Sequence, residues 1–247
     1  MDETGLLILK IVTTIFVGMS KAGFGAGSGI VAGPILAAFV MPADRVLGFL
    51  LPFVLVSDVF ALSRYRASCN LRIVMQLVPG AVLGVLLGGF VLREMPVGIL
   101  SKTLGVLALS FGILQFWRNQ HSEKFQAYVP KAWHGMIVGI GVGVVSTLAH
   151  VGGVLTTMFL LPQRLTNQAL VGTAAVVYLI INFVKSFVYW DQNVLNVSVI
   201  KEAILLMPAL AIGIAIGFHL NKKLSPTIFS RFILVVVVIA GLKLILN

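Results

Sequence analysis

Apolar residues run along this chain in blocks of about twenty, parted by short polar links. A helix needs roughly 20 such residues to cross a hydrocarbon layer of ~30 Å. Six runs have that length: Val46 to Arg64, Ile73 to Leu92, Val97 to Phe116, Gln168 to Tyr189, Val197 to Leu220 and Thr227 to Leu246, each bounded by Arg, Lys, Pro or Asn. Two more, Leu6 to Val40 and Trp133 to Leu161, are too long for one crossing and too short for two. Glycine interrupts both, at Gly23 to Gly29 and at Gly152 and Gly153. The pattern predicts an all-α polytopic membrane protein with two broken helices.

Composition agrees. The 247 residues are 59% hydrophobic and 11% charged, against roughly 45–50% and 25% in soluble domains. Apolar segments continue to the last residue, Asn247, so no cleaved secretory leader is expected. The formal net charge of +10 comes from 18 basic residues spread through short links. That distribution fits loops facing an anionic leaflet and not a nucleic-acid surface. The single cysteine, Cys69, rules out an intramolecular disulfide framework and a Cys-rich metal site.

The broken runs occupy corresponding places in an internal repeat. Gly29 and Gly48 lie 19 apart, as do Gly153 and Gly172, an offset of 124 at which Asp58 falls on Asn182 and Tyr65 on Tyr189. Pro79, Gly84 and Gly88 recur as Pro208, Gly213 and Gly217, and Ser101, Lys102 and Gly112 as Ser230, Arg231 and Gly241, at an offset of 129. The chain therefore reads as one transmembrane domain, 1–247, with repeat A over 5–118, a linker at 119–130 and repeat B over 131–247.

Loop charge bears on whether the halves are parallel or inverted, because Lys and Arg in short loops collect on the cytoplasmic side. If each broken run is a re-entrant hairpin, every half has three crossings and the halves are inverted. Arg64, Arg66, Arg72, Arg118, Lys124, Lys131, Arg164, Lys222 and Lys223 then share one side, against Arg45, Arg93 and Lys201, a 9 to 3 split. A single crossing per broken run gives 7 to 5. The inverted arrangement, with both termini outside, is the expectation.

Backbone released from a helix inside lipid must be buried in protein or line a cavity. A half-helix that starts there points free N–H groups and the positive end of its dipole into that cavity, which suits an anion, and glycine lets a ligand approach closely. Small residues also serve close helix packing.

At these breaks the sequence resembles the TauE/SafE family of sulfite and organosulfonate exporters and permeases. The resemblance rests on "GFGAGSGIVAGPIL" in the first half and on "AHVGGVL" followed by "ALVGTAA" in the second, and the duplication extends it over essentially the whole chain. It implies a secondary transporter of small sulfur-containing anions, without a nucleotide-binding domain or a cofactor. The expected setting is the cell membrane, the inner or plasma membrane of a bacterium or archaeon. Its expected partners are a small anionic substrate and the lipid bilayer; homo-oligomerisation is left open. The first half departs from the second in reading "LGFLL" where the second has "VGTAA", and Ala26 is the repeat mate of His150.

Candidate substrate-binding residues follow from the breaks: Lys21, Gly25, Gly27, Ser28 and Gly29 in the first, and His150, Gly152, Gly153, Thr156 and Thr157 in the second. The hydroxyls are donors suited to oxyanions unless they bond back to their own helix. His150 changes charge near neutral pH and so suits anion contact or proton coupling. Asp58, the only acid within a crossing, is the other coupling candidate, with Asn182 as its uncharged repeat mate. Lys185, five residues before Trp190, reads as a side chain snorkelling to the interface.

Rival readings are a passive anion channel and an intramembrane hydrolase. His121, His134, His150 and His219 have no H-E-x-x-H spacing, and no G-x4-G-K-[ST] loop occurs. In "GAGSGI" the serine precedes glycine in the wrong register for a G-x-S-x-G elbow.

Overall fold

Side chains fix several helix starts. Asn70 accepts the Ile73 amide at 3.3 Å, Thr166 accepts that of Ala169 at 3.2 Å and Asn196 that of Val199 at 3.1 Å, each supplying a partner for an orphan N–H of a first turn. In a computed structural model describing residues 3–24, 28–120, 131–220 and 226–246, the chain forms α1 (Glu3–Phe24), α2 (Ser28–Phe39), α3 (Ala43–Tyr65), α4 (Leu71–Glu94), α5 (Val97–Gln120), α6 (Ala132–Ala149), α7 (Gly153–Leu160), α8 (Asn167–Asp191), α9 (Val197–Leu205), α10 (Met207–Leu220) and α11 (Pro226–Leu246). No strand occurs among the described residues. Five of these helices have the length and apolarity to cross a membrane, and α9 with α10 makes a sixth if that bent pair is one span.

The bend interrupts a run whose apolar pattern predicts one helix from Val197 to Leu220. The two pieces meet at 50°. Pro208 has no N–H for the Ile204 carbonyl and its ring crowds that carbonyl, so the turn at Leu206 closes instead on Ala203, at 3.0 Å.

Glycines set the helix contacts. Gly80, Gly84 and Gly88 of α4 lie against Met136, Ile140 and Val144 of α6, so these helices run parallel, and a methyl group on Gly84 would collide with the Ile140 carbonyl. The seam between α1 and α10 is built alike, with Gly213 against Ile15, Gly217 against Met19 and Gly18 against Leu210 and Ile214. Antiparallel contacts join α3 to α8 and the link after it, with Gly172 against Tyr65 and Gly48 against Val194, and α5 to α11, with Gly105 against Gly241 and Gly112 against Leu234.

These directions place the ends. Lys10 and Arg45 both bond Glu202, so α1 starts at the end of the molecule where α3 and α9 start. By contrast α6 starts at the opposite end, beside the beginning of α4, where Gly135 meets Gln76. Beyond Ala149 the chain doubles back: Gly152 lies against Val142 and Ser146, and the Leu155 side chain touches Gly141. Thus α7 returns alongside α6.

Large apolar side chains point both ways. Leu47, Phe49, Leu50 and Phe53 of α3 are buried, with the Phe49 and Phe53 rings edge to face at 5.1 Å, while Met75, Phe90 and Leu205 stand out from the surface. In water such an exterior would be penalised; against lipid it is the expected finish.

Candidate functional site

Helix α8 is polar on its inner face and aromatic on its outer one. Phe183, Phe187 and Trp190 are exposed, whereas Asn182, Lys185 and Tyr189 are buried. Tyr178, Asn182, Lys185 and Tyr189 are spaced 4, 3 and 4 residues apart and so fall on one stripe of a 3.6-residue helix. That stripe faces the break between α6 and α7.

Its contacts run the length of the break. The Tyr178 hydroxyl is 3.5 Å from the Gly153 carbonyl. Asn182 Nδ2 donates to Asp58 Oδ2 of α3 at 2.7 Å. Lys185 Nζ donates to the Ser146 carbonyl and to Ser146 Oγ, both at 3.1 Å, and lies 3.2 Å from His150 Nδ1. Tyr189 donates its hydroxyl to the Thr147 carbonyl at 2.5 Å.

His150 forms the turn itself. With φ 55° and ψ 22° it adopts the left-handed conformation that ends α6, and its amide closes on the Ser146 carbonyl at 3.0 Å. Its Nε2 is 3.0 Å from the Leu47 carbonyl of α3. A carbonyl only accepts, so Nε2 carries the ring proton and Nδ1 offers its lone pair to Lys185. Both ring nitrogens are thereby engaged. Close by, Gly33 of α2 sits where an added Cβ would lie 3.6 Å from the Ala149 carbonyl, so α2 reaches the end of α6.

Lys185 corrects the snorkelling expectation. It is 0% exposed, turned inward to the break. A lysine within a membrane helix is costly, and here the end of α6 receives it, where carbonyls and the negative pole of the helix dipole favour a cation.

The threonines hold their own helix. Thr156 Oγ1 donates to the Gly152 carbonyl at 3.1 Å and Thr157 Oγ1 to that of Gly153 at 2.7 Å, which places their hydroxyl protons within the first turn of α7. Gly152 has ordinary helical angles, φ −54° and ψ −20°, so glycine is needed there for space: a Cβ would stand 2.8 Å from the Val142 carbonyl. Lys21 falls within α1, and Ser28 and Gly29 open α2; their surroundings, and Gly25 and Gly27 altogether, lie outside the described residues. No grouping of three or more His, Cys, Asp or Glu suited to a metal occurs among the described residues.

An open pocket of about 420 Å³ lies at the end of the molecule where α3 begins, lined by Asp44, Arg93, Asp191, Gln192 and Val194 among others. Asp44 is one helical turn from Leu47, the residue that holds His150.

The sequence singles out His150, Gly152, Asp58 and Asn182, the last two as repeat mates and not as bonded partners, and it leaves out Tyr178, the inward turn of Lys185 and the inward role of Tyr189. The signal for these three was the 4-3-4 spacing of polar residues in an apolar helix.

A family model described as sulfite exporter TauE/SafE matches residues 10–244. No curated protein matches the chain, and neither does any solved structure.

Proposed function

The chain belongs to the TauE/SafE sulfite exporter family, a family of membrane transporters, and on that premise we propose that it is a secondary carrier of small sulfur-containing anions: sulfite, thiosulfate or organosulfonates. The observation carrying the proposal is the buried helix break at His150 to Gly152, brought against α3 by the bond from His150 to Leu47 and against α2 at Gly33. Irregular backbone at such a depth fits a site in a carrier.

In this reading the site spans both breaks, with Lys21, Gly25, Gly27, Ser28 and Gly29 contributed by the first and His150, Gly152 and Gly153 by the second, flanked by Thr156 and Thr157. Coupling to protons runs through Asp58, the acid joined to Asn182, while His150 is held by both ring nitrogens. The two halves are inverted copies, each a hairpin followed by three crossings. Supporting this, α1 starts at one end of the molecule and α6 at the other, and the α1–α10 seam resembles the α4–α6 seam. The protein sits in the cell membrane with both termini outside, and the pocket beside Asp44 opens on that outer side.

The test is transport by reconstituted protein offered sulfite, thiosulfate, methanesulfonate, phosphate and acetate, with and without an imposed proton gradient. The sulfur oxyanions or the sulfonate should be preferred, and the gradient should drive their accumulation. A preference for phosphate or acetate overturns the substrate assignment, and transport indifferent to the gradient identifies a uniporter or channel.

A further inference from the structure

We propose that the pocket where α3 and α5 begin and α4 and α8 end binds a primary ammonium group, carried by a small aliphatic amine or by the ethanolamine headgroup of a lipid. The inference goes beyond the carrier reading and does not depend on it.

Two oxygens in the pocket wall call for a donor. Among the described residues three buried side-chain nitrogens or oxygens have no hydrogen-bond partner: Asp44 Oδ1, Gln192 Oε1 and Gln163 Nε2. The residues carrying the first two line this one pocket. A buried acceptor without a donor is costly, and these two come from distant parts of the chain, Asp44 from the first turn of α3 and Gln192 from the residue that ends α8. The Gln192 amide cannot turn over to relieve its own oxygen. Its Nε2 donates to the Gly89 carbonyl of α4 at 2.7 Å; a carbonyl only accepts, so the nitrogen stays there and Oε1 is left for another donor.

Both orphans are acceptors, so the ligand donates. Charge points the same way. The chain carries a formal +10 and only 8 acidic residues, yet Asp44 and Asp191 both line the pocket, two carboxylates against the one guanidinium of Arg93. A metal ion held directly by side chains fits less well, because no grouping of three or more His, Cys, Asp or Glu suited to a metal occurs among the described residues.

Size and apolar lining shape the rest of the ligand. A volume of about 420 Å³ exceeds what a bare ion needs and falls within the roughly 300–1,000 Å³ of small-molecule sites. Buried Leu92 and Leu100, with Met95, supply an aliphatic wall. A primary ammonium has three N–H donors on a compact charged head. Two can serve Asp44 Oδ1 and Gln192 Oε1 while the attached carbon stem lies on that wall. In a lipid headgroup, the phosphate beside the ammonium suits Arg93.

The rival role is architectural: Asp44 serves only the positive pole of α3, and water alone enters the pocket. Full-length protein in phosphatidylcholine nanodiscs, titrated calorimetrically with propylammonium, tetramethylammonium and sodium chlorides beside a thermal-stability measurement, separates the two. Propylammonium should bind saturably and resist displacement by sodium. Tetramethylammonium, charged but without an N–H, should bind at least about tenfold more weakly, the loss expected for hydrogen bonds to a charged group. Asp44→Asn should weaken propylammonium binding by a similar factor. Asp191 is exposed, so Asp191→Asn keeps the fold; it should weaken binding severalfold, and it decides the matter if Asp44→Asn fails to fold. The proposal is overturned by an absence of saturable propylammonium binding, by equal binding of tetramethylammonium, by displacement with an equal concentration of sodium, or by an Asp44→Asn protein that is less stable but binds unchanged. Repeating the titration in nanodiscs of equal phosphatidylcholine and phosphatidylethanolamine tells the two sources apart: weaker apparent binding of propylammonium assigns the pocket to the headgroup, and unchanged binding assigns it to a free amine.

Discussion

Asp58 and Asn182 stand 124 residues apart in the chain and are joined by a hydrogen bond of 2.7 Å in the buried interface of α3 and α8. The same 124-residue offset relates the two glycine-rich breaks. Asp58, the one buried acid among the described residues, is thereby held where α3 packs on α8.

A neutral isostere tests that acid. Asp58→Asn is expected to insert and to bind anions, because an amide can still pair with Asn182, while losing the accumulation driven by an imposed proton gradient. Asn182→Leu removes a donor to a buried carboxylate and should cost about 1.5–3 kcal/mol of stability. Gradient-driven uptake that persists in Asp58→Asn would move the coupling elsewhere.

Cys69 reports on orientation without any added label site. It lies between the candidate crossings that end at Ser68 and begin at Leu71, in the link expected to face the cytoplasm. A membrane-impermeant maleimide should therefore label it in inside-out vesicles and spare it in intact cells. Burial pushes its thiol above the ordinary value, opposed by a weaker lowering from Thr173. The thiolate is the reacting form, so labelling should be slow at pH 7 and accelerate as pH rises, continuing beyond pH 9. Rapid labelling from outside would reverse the assigned topology.

The glycine seams predict a contrast among substitutions to alanine. Gly84→Ala drives a methyl group into the Ile140 carbonyl, and Gly213→Ala into that of Ile15, whereas Gly98 has nothing within 4 Å of an added Cβ. Overpacking costs about 1–3 kcal/mol, so the first two should lower the melting temperature in detergent. Gly98→Ala should leave it unchanged or raise it, since alanine favours the helix.

At the break, bulk and stability should separate. Gly152→Leu collides with Val142 and Ser146 and is expected to reduce both stability and transport. Gly153→Leu should abolish transport while leaving insertion intact, because it crowds the approach to the first turn of α7. Unchanged transport by both variants would return these glycines to a packing role.

The apolar spans and the break before Gly153 were legible because each is written in local pattern, whereas the 124-residue offset set Asp58 beside Asn182 without saying that they touch. Thr156 and Thr157 were legible only as alternatives, since a hydroxyl at that position donates either outward or to the carbonyl four residues back, and it is the backbone of α7 that decides. Lys185 was misread for a physical reason. Nearby Trp190 suggests the interface, but which way the lysine turns depends on where α6 ends, at Ala149, more than thirty residues earlier. Burial created by a distant turn leaves no mark on the residues beside the lysine, apart from the polar stripe on which it lies.

The seam between α1 and α10 also carries a consequence for biosynthesis. Gly18 is made near the start of translation, and Gly213, its counterpart across the seam, roughly two hundred residues later. At about 5–20 residues per second, α1 waits on the order of ten seconds or more with its glycine face uncovered. For that interval the nascent chain depends on the translocon, lipid or an insertase to shield a groove that only its own C-terminal quarter can fill, and truncations that end before α10 should be cleared by quality-control proteases despite containing every earlier span.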